Sequence, residues 1–135
     1  MKLSITATTA IADFQNEFMR IFPFLKIEFF TKPHEKGGES WSKYMVFNRV
    51  TPLNTLDNFK QAGILEFEAD MPVGDFEQKV WDQFGLSTQV FRKSMGSWIE
   101  TTHTDKWTLA VQNEKGEESA HTVAEMIYVE RTNED

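Results

Sequence analysis

Two segments of the chain carry the same apolar pattern at helical spacing. "IADFQNEFMRIFP" begins at Ile11 and "VGDFEQKVWDQFG" begins at Val73. In both, apolar residues recur at i, i+3, i+7 and i+11, which places them on one face of an α-helix. The pattern therefore predicts two amphipathic helices that each bury one face. The stripe residues are Ile11, Phe14, Phe18 and Phe22 in the first segment and Val73, Phe76, Val80 and Phe84 in the second.

The ends of both helices carry matching signals. Asp13 and Asp75 fall in the first turns, where a negative charge suits the helix dipole. Thr8 and Asp70 also occupy matching places, and both are candidate N-caps. Gly85 follows the second helix, where a left-handed glycine is a common stop.

The match extends into flanking segments that read as strands. "KLSITA" from Lys2 aligns with "ILEFEA" from Ile64, and both alternate apolar with polar residues. "LKIEFFTK" from Leu25 aligns with "LSTQVFRK" from Leu86, and both are rich in aromatic or β-branched residues. Eight of these 30 aligned positions are identical. The pattern predicts an internally duplicated strand–helix–strand unit.

A third strand is expected in each half. Residues 37–44 parallel residues 95–102, with Trp41 opposite Trp98. Gly37, Gly38 and Gly96 are turn residues near the start of these segments, so each half is predicted to contain a β-hairpin.

The last elements of the two halves are predicted to be short helices. Thr55–Gly63 parallels Thr108–Gly116, each with threonine as N-cap and glycine as stop. Residues 117–135 have no counterpart in the first half. Within this C-terminal extension, "AEMIYVER" is either an added edge strand or a short helix, and Ile127, Tyr128 and Val129 favour the strand.

These elements predict a single α+β domain over residues 1–135, with half-repeats at 2–63 and 64–116 and an extension at 117–135. The expected architecture is a two-layer sandwich, with a mixed sheet and both main helices on one face, as in ferredoxin-like folds. The repetition explains how the chain is built, so function is to be sought where the copies differ. One such place is Trp81, which stands where the first copy has Met19.

Composition narrows the classes of function. The chain has 135 residues, 40% of them apolar, and no cysteine. That suits one domain with an extensive core and excludes thiolate catalysis and cysteine-bound metals. There is no signal-peptide pattern and no apolar run of about 18 residues, so we expect a cytoplasmic protein with no membrane partner.

Charge and histidine spacing exclude further classes. The net charge is −7, from 14 basic and 21 acidic residues, which disfavours nucleic-acid binding because phosphate contacts need a basic footprint. His34, His103 and His121 lie far apart without metal-ligand spacing, so we expect no metal and no cofactor.

The densest polar cluster is "ETTHTDKWT", which begins at Glu100. His103 and Asp105 are two residues apart, so on an extended strand they would share a face. A carboxylate beside an imidazole is an arrangement for base catalysis. The alternative is that these residues only shape the turn before the next helix.

"QVFRKSMGSW" places two cations near tryptophans, a pattern suited to stacking on bases or to binding an acidic peptide. The alternative is a hairpin with tryptophan in the core and cations on the rim. Together with the polar cluster, it gives a candidate binding set: Arg92, Lys93, Trp98, Thr102, His103 and Trp107.

The second half, with "FGLSTQVFRKS" followed by "SWIETTHTDKWTL", resembles a group of small uncharacterised bacterial proteins. The resemblance covers residues 70–116. It implies a natural compact module and carries no activity with it.

The absence of a catalytic constellation favours a non-enzymatic interaction or ligand-binding module that recognises a protein partner or associates with itself. One alternative is a small enzyme with a polar site at Glu100, His103 and Asp105, which requires a cavity around His103. Another is a nucleic-acid binder, which requires six basic residues to share one face: Lys26, Lys32, Lys43, Arg49, Arg92 and Lys93.

Overall fold

The described chain is an α+β fold with three helices and two small antiparallel sheets, which confirms the predicted class. The structure is a computed structural model that describes residues 1–34, 38 and 42–133. The elements are β1 (Lys2–Ile5), α1 (Ile11–Ile21), β2 (Leu25–Phe30), β3 (Gly63–Glu66), α2 (Val73–Phe84), β4 (Ser87–Ser94), β5 (Ser97–Glu100) and α3 (Leu109–Asn133).

The two predicted apolar stripes form the centre of one core. All eight stripe residues are at most 4% exposed. The rings of Phe18 and Phe76 stack with centroids 5.5 Å apart, so α1 and α2 are in direct contact. Both sheets contribute to the same core, β1 and β3 through Leu3 and Leu65 and β2 through Ile27. The helix prediction is therefore confirmed.

The N-caps predicted for α1 and α2 are wrong, whereas the one predicted for the last helix is confirmed, because Thr108 Oγ1 accepts the Val111 N–H at 3.1 Å. α1 begins after Ala10 and α2 after Pro72, and neither has a side-chain cap on its first turn. The residues before each helix are extended because they pair with another segment, Ala10 with Pro52 and Pro72 with Thr108. That pairing keeps Thr8 and Asp70 outside the helices. Asp13 acts within the first turn, where its Oδ2 accepts the Ala10 N–H at 2.9 Å.

Gly85 ends α2 as predicted. Its φ is +69°, in the left-handed region that favours glycine. A Cβ at this position would lie 1.7 Å from the carbonyl oxygen of Asn58, so no other residue fits without moving the chain.

The strands do not form the single mixed sheet that was predicted. β1 pairs antiparallel with β3 in one sheet, and β2, β4 and β5 form the other. The two strands of the first half, β1 and β2, pair with strands of the second half and not with each other. In the register, Leu3 faces Leu65 and Glu28 faces Gln89, which are the positions aligned in the sequence.

Of the two predicted hairpins, the second is confirmed. β4 and β5 pair through a tight turn in which Met95 has φ 49° and Gly96 has φ 85°. The first hairpin, with Trp41, falls largely outside the described residues. Within the described part of that segment, Ser42–Tyr44 form one turn of 3-10 helix.

The short helix predicted at Thr55–Gly63 is also wrong. Leu53–Thr55 form one 3-10 turn, and the chain then runs irregularly to Gly63. The amide of Lys60 donates to the carbonyl of Phe84 at 2.9 Å, so this segment serves the end of α2 instead of forming a helix of its own.

The predicted short helix and C-terminal strand are replaced by one helix, α3, of 25 residues. Gly116 does not stop it, because the glycine is buried where α3 crosses Phe24. Eight of the 17 residues from 117 to 133 are strong helix formers, and a Lys115–Glu118 ion pair lies on the helix surface. The helix continues through Ile127, Tyr128 and Val129 despite their strand preference.

Candidate functional site

The predicted polar cluster is not an extended strand. Thr102–Thr104 form one 3-10 turn, so the expectation that His103 and Asp105 share a strand face is wrong. His103 is exposed, whereas the carbonyl of Asp105 accepts the Gly74 N–H at 2.8 Å at the start of α2. A Cβ on Gly74 would lie 2.9 Å from Asp105 Oδ2, so the two segments are in close contact.

Close to this contact lies Glu77, a buried residue of α2 that feels the charge of Asp105. The sequence analysis did not select it. Glu77 is 6% exposed, and its Oε2 accepts the Val90 N–H at 2.7 Å. Burial raises the pKa of the Glu77 carboxyl to about 8; the Val90 hydrogen bond opposes this shift, and the negative charges of Asp105 and Glu100 add to it. Glu77 is therefore mainly protonated at pH 7.

Glu77 accepts a backbone N–H of β4 that has no partner in the neighbouring strand β2. At the Ile27–Val90 pair, backbone groups point away from the partner strand and need other partners. Glu77 accepts the Val90 N–H, and Thr101 Oγ1 donates to the Val90 carbonyl at 3.0 Å. On the other edge, Gln15 Nε2 donates to the Ile27 carbonyl at 2.9 Å.

The sequence did contain a signal for this residue. Gln15 and Glu77 are aligned in the two halves, and each follows the first stripe residue of its helix by four positions. That spacing places both on the buried face. A polar residue repeated on a buried face indicates a structural or chemical role.

A cavity of about 120 Å³ lies beside Glu77, between α2 and β4. Trp81 forms part of its wall. This is the residue that stands where the first copy has Met19. Thr88 also lines it, and among the described residues the buried Thr88 hydroxyl has no hydrogen-bond partner. His34 Nε2 donates to the Thr88 carbonyl at 2.8 Å, which fixes the imidazole at the cavity wall.

The predicted cation–tryptophan set divides between the two faces of β4. Lys93 lies 4.7 Å above the Trp98 ring, and Arg92 lies 5.7 Å from the Trp107 ring. Adjacent strand residues point to opposite faces, so the two pairs do not form one surface. The six basic residues proposed for nucleic-acid binding therefore do not share a face. Thr102 is buried between these elements.

The distal segment of α3, defined as residues 120–131, carries a group of consecutive exposed apolar side chains. Before it, Leu109, Gln112 and Gly116 are buried against the body, and Ser119 Oγ accepts the Met95 N–H at the hairpin tip. From residue 121 to residue 131 only Val123 is half-buried. The exposed apolar side chains are Met126 at 52%, Ile127 at 46%, Tyr128 at 69% and Val129 at 54%.

Two classes of site find no support within the described ranges. No group of three or more histidine, aspartate or glutamate side chains there is arranged to hold a metal ion. None of the described helices, α3 included, combines the length and the apolar character needed to cross a bilayer.

The chain was compared with protein families, curated proteins and solved structures. No family model, curated protein or solved structure matches the chain. The resemblance of residues 70–116 to small bacterial proteins stays a prediction.

Proposed function

We propose that the protein is a self-associating interaction module and that two copies pair through the distal segment of α3. One observation carries this proposal: the face of α3 that packs on the body continues beyond it as an apolar stripe. Exposed apolar surface of this kind is typical of protein–protein contact sites.

The spacing of the stripe favours another helix as the partner. Gly116, Ala120, Val123 and Ile127 follow one another at intervals of four, three and four residues. This is the spacing of residues that face a second helix in a coiled coil. Met126 lies 100° to one side of Ile127 and Tyr128 100° to the other, so they widen the stripe.

The charges favour a second copy in the antiparallel orientation. Glu117 lies one turn before the distal segment, and Arg131 ends it. In an antiparallel pair centred near Val123 and Ala124, Arg131 of one copy lies near Glu117 of the other. A parallel pair would place like charges together, which is unfavourable.

We also propose that the body is an internally duplicated scaffold related to ferredoxin-like folds, with half-repeats 2–63 and 64–116. The facing of Leu3 with Leu65 and of Glu28 with Gln89 supports this, because aligned positions meet at an approximate twofold axis. The distal segment belongs to residues 117–135, which the first half lacks. The distal segment therefore lies outside both half-repeats, and it is available for a role that the duplicated scaffold does not have.

The test is the oligomeric state of Ile127→Asp beside the matched control Val111→Asp. Both substitutions place a charge at an exposed apolar position on α3, but Val111 lies on the opposite face and outside the proposed pairing. We expect the wild type and Val111→Asp to dimerise with a Kd on the order of 10 μM, because the contact is small. Ile127→Asp should be monomeric by size exclusion with light scattering. A monomeric wild type at millimolar concentration would overturn the proposal.

The orientation is tested separately with spin labels, since the chain has no native cysteine. A label at position 124 should lie within about 15 Å of its copy, and a label at position 131 should lie farther from its copy by roughly 20 Å. Equal distances at the two positions would contradict the antiparallel pairing.

A further inference from the structure

We propose that the cavity beside Glu77 binds a small organic cation with a planar amidinium or guanidinium group. The site lies between α2 and β4 and is built from Glu77, Thr88 and Trp81. It uses no residue of the distal segment of α3, so it goes beyond the self-association proposed above.

The size of the cavity limits the ligand. An engineered cavity of about 150 Å³ holds one benzene molecule. At about 120 Å³, the cavity beside Glu77 admits a group a little smaller than benzene. Methylguanidinium and acetamidinium have this size, whereas a nucleotide or a peptide segment does not fit.

The charges around the cavity favour a cation. Glu77 on α2 lines the cavity itself, and the negative charges of Glu100, at the end of β5, and of Asp105 act on Glu77 from outside the lining. His34 is the other titratable group on the cavity wall, and the part of β4 that lines the cavity contributes only the uncharged Ser87 and Thr88. Among the described residues, no lysine or arginine forms an ion pair with Glu77 or Asp105.

The hydrogen-bonding groups and the aromatic wall suit a planar cation. Glu77 supplies carboxylate oxygens, and the Thr88 hydroxyl can accept a hydrogen bond where it now has no described partner. A guanidinium presents several N–H donors in one plane, which matches acceptors on two neighbouring elements. The indole of Trp81 lines the same cavity, and indole faces attract cations.

Binding should be coupled to loss of a proton. Burial raises the pKa of Glu77 to about 8, so the free protein holds the proton at pH 7. A bound cation stabilises the carboxylate, and the proton passes to solvent. Below pH 8, the apparent Kd should therefore decrease about tenfold for each unit that the pH rises, and above pH 8 it should be constant.

The experiment is calorimetric titration of the full chain with methylguanidinium, with N-methylurea as the uncharged control of equal size. We expect the Kd for methylguanidinium to be at least about 30-fold lower at pH 8.5 than at pH 6, with about one proton released per ligand at pH 6 and little proton release at pH 8.5. N-methylurea should bind at least about tenfold more weakly at pH 8.5. Equal affinity for both compounds, or no heat up to about 50 mM, would overturn the proposal.

Two charge-matched variants locate the site. Glu77→Gln removes the charge inside the cavity, and Glu114→Gln removes one from the exposed surface of α3. Glu77→Gln should bind methylguanidinium at least about tenfold more weakly at pH 8.5 and lose the pH dependence. Glu114→Gln should match the wild type within about twofold. Equal loss in both variants would show a general charge effect and contradict the site. A repeat in Ile127→Asp keeps this result independent of self-association.

Discussion

At the scale of single residues, the burial of Glu77 disfavours the ionised form of its carboxyl group. Its folded pKa of about 8 lies above the ordinary value of 4.5, so the folded state holds a proton that the unfolded state releases between these values. The free energy of unfolding therefore falls as pH rises from about 4.5 to about 8, by up to ~5 kcal/mol. Glu77 is compatible with the fold at low pH and destabilises it above pH 8.

Replacing Glu77 with glutamine should remove this pH dependence. Glutamine keeps an oxygen to accept the Val90 N–H but never ionises. The difference in the free energy of unfolding, Glu77→Gln minus wild type, should increase by about 2–3 kcal/mol as the pH rises from 6 to 9. Urea unfolding at both pH values measures this, with Glu114→Gln as the control. Parallel pH profiles for Glu77→Gln and the wild type would show that the carboxyl is not responsible.

The sequence predicts single residues well where only local geometry matters. The eight stripe positions and Gly85 follow from helical period and backbone conformation, which neighbouring residues determine. Of the polar candidates, Glu100 and Asp105 do lie near the buried carboxyl, but His103 turns to solvent. The alignment of Glu77 with Gln15 marks it as a polar residue on a buried face, but the partners of Glu77 and Thr88 depend on which backbone groups of β4 point outward, and the pairing of β4 with β2 decides that.

At the scale of elements, Gly85 and Gly116 show why a glycine alone does not end a helix. Gly85 has positive φ and ends α2, whereas Gly116 continues α3. A Cβ at Gly116 would lie 2.8 Å from the Cβ of Phe24 and 2.9 Å from its carbonyl oxygen. The glycine therefore allows α3 to pack closely on the body, and only the tertiary contact distinguishes this from a stop signal.

Substitution of Gly116 by alanine tests that contact. By helix propensity alone, alanine should stabilise α3 by about 1 kcal/mol. Because the obstructing atoms are backbone or attached to it, we expect a net loss of about 1–3 kcal/mol in the free energy of unfolding. The matched control is Glu114→Ala, two residues away and exposed, which should change stability by less than about 0.5 kcal/mol. Increased stability of Gly116→Ala in urea would contradict the close packing.

At the scale of the whole molecule, the prediction of one mixed sheet failed because strand pairing is not a local property. The alternation in residues 2–7 and 64–69 identifies strands but does not name their partners. The helices gave the class α+β, and the hairpin at Met95 and Gly96 was accessible because its two strands are adjacent in sequence.

The whole molecule should tolerate removal of residues 121–135. The body-facing residues Leu109, Gln112 and Gly116 and the Ser119 contact all precede the cut. We expect the shortened chain to be monomeric and its Tm to lie within about 5 °C of that of monomeric Ile127→Asp, because little buried surface is lost. Circular dichroism and light scattering measure the two properties. A shortened chain that unfolds at room temperature would show that the distal segment supports the body.

Pairing of β1 with β3 and of β2 with β4 also constrains how the chain is made. β1 ends at Ile5, but its partner β3 begins only at Gly63. In the same way, β2 pairs with β4, which spans residues 87–94. While the ribosome is still making the second half, the first half exposes two strands and the phenylalanines of α1. Such non-local pairing slows folding. The nascent chain is therefore open to aggregation or chaperone binding until translation has passed β4.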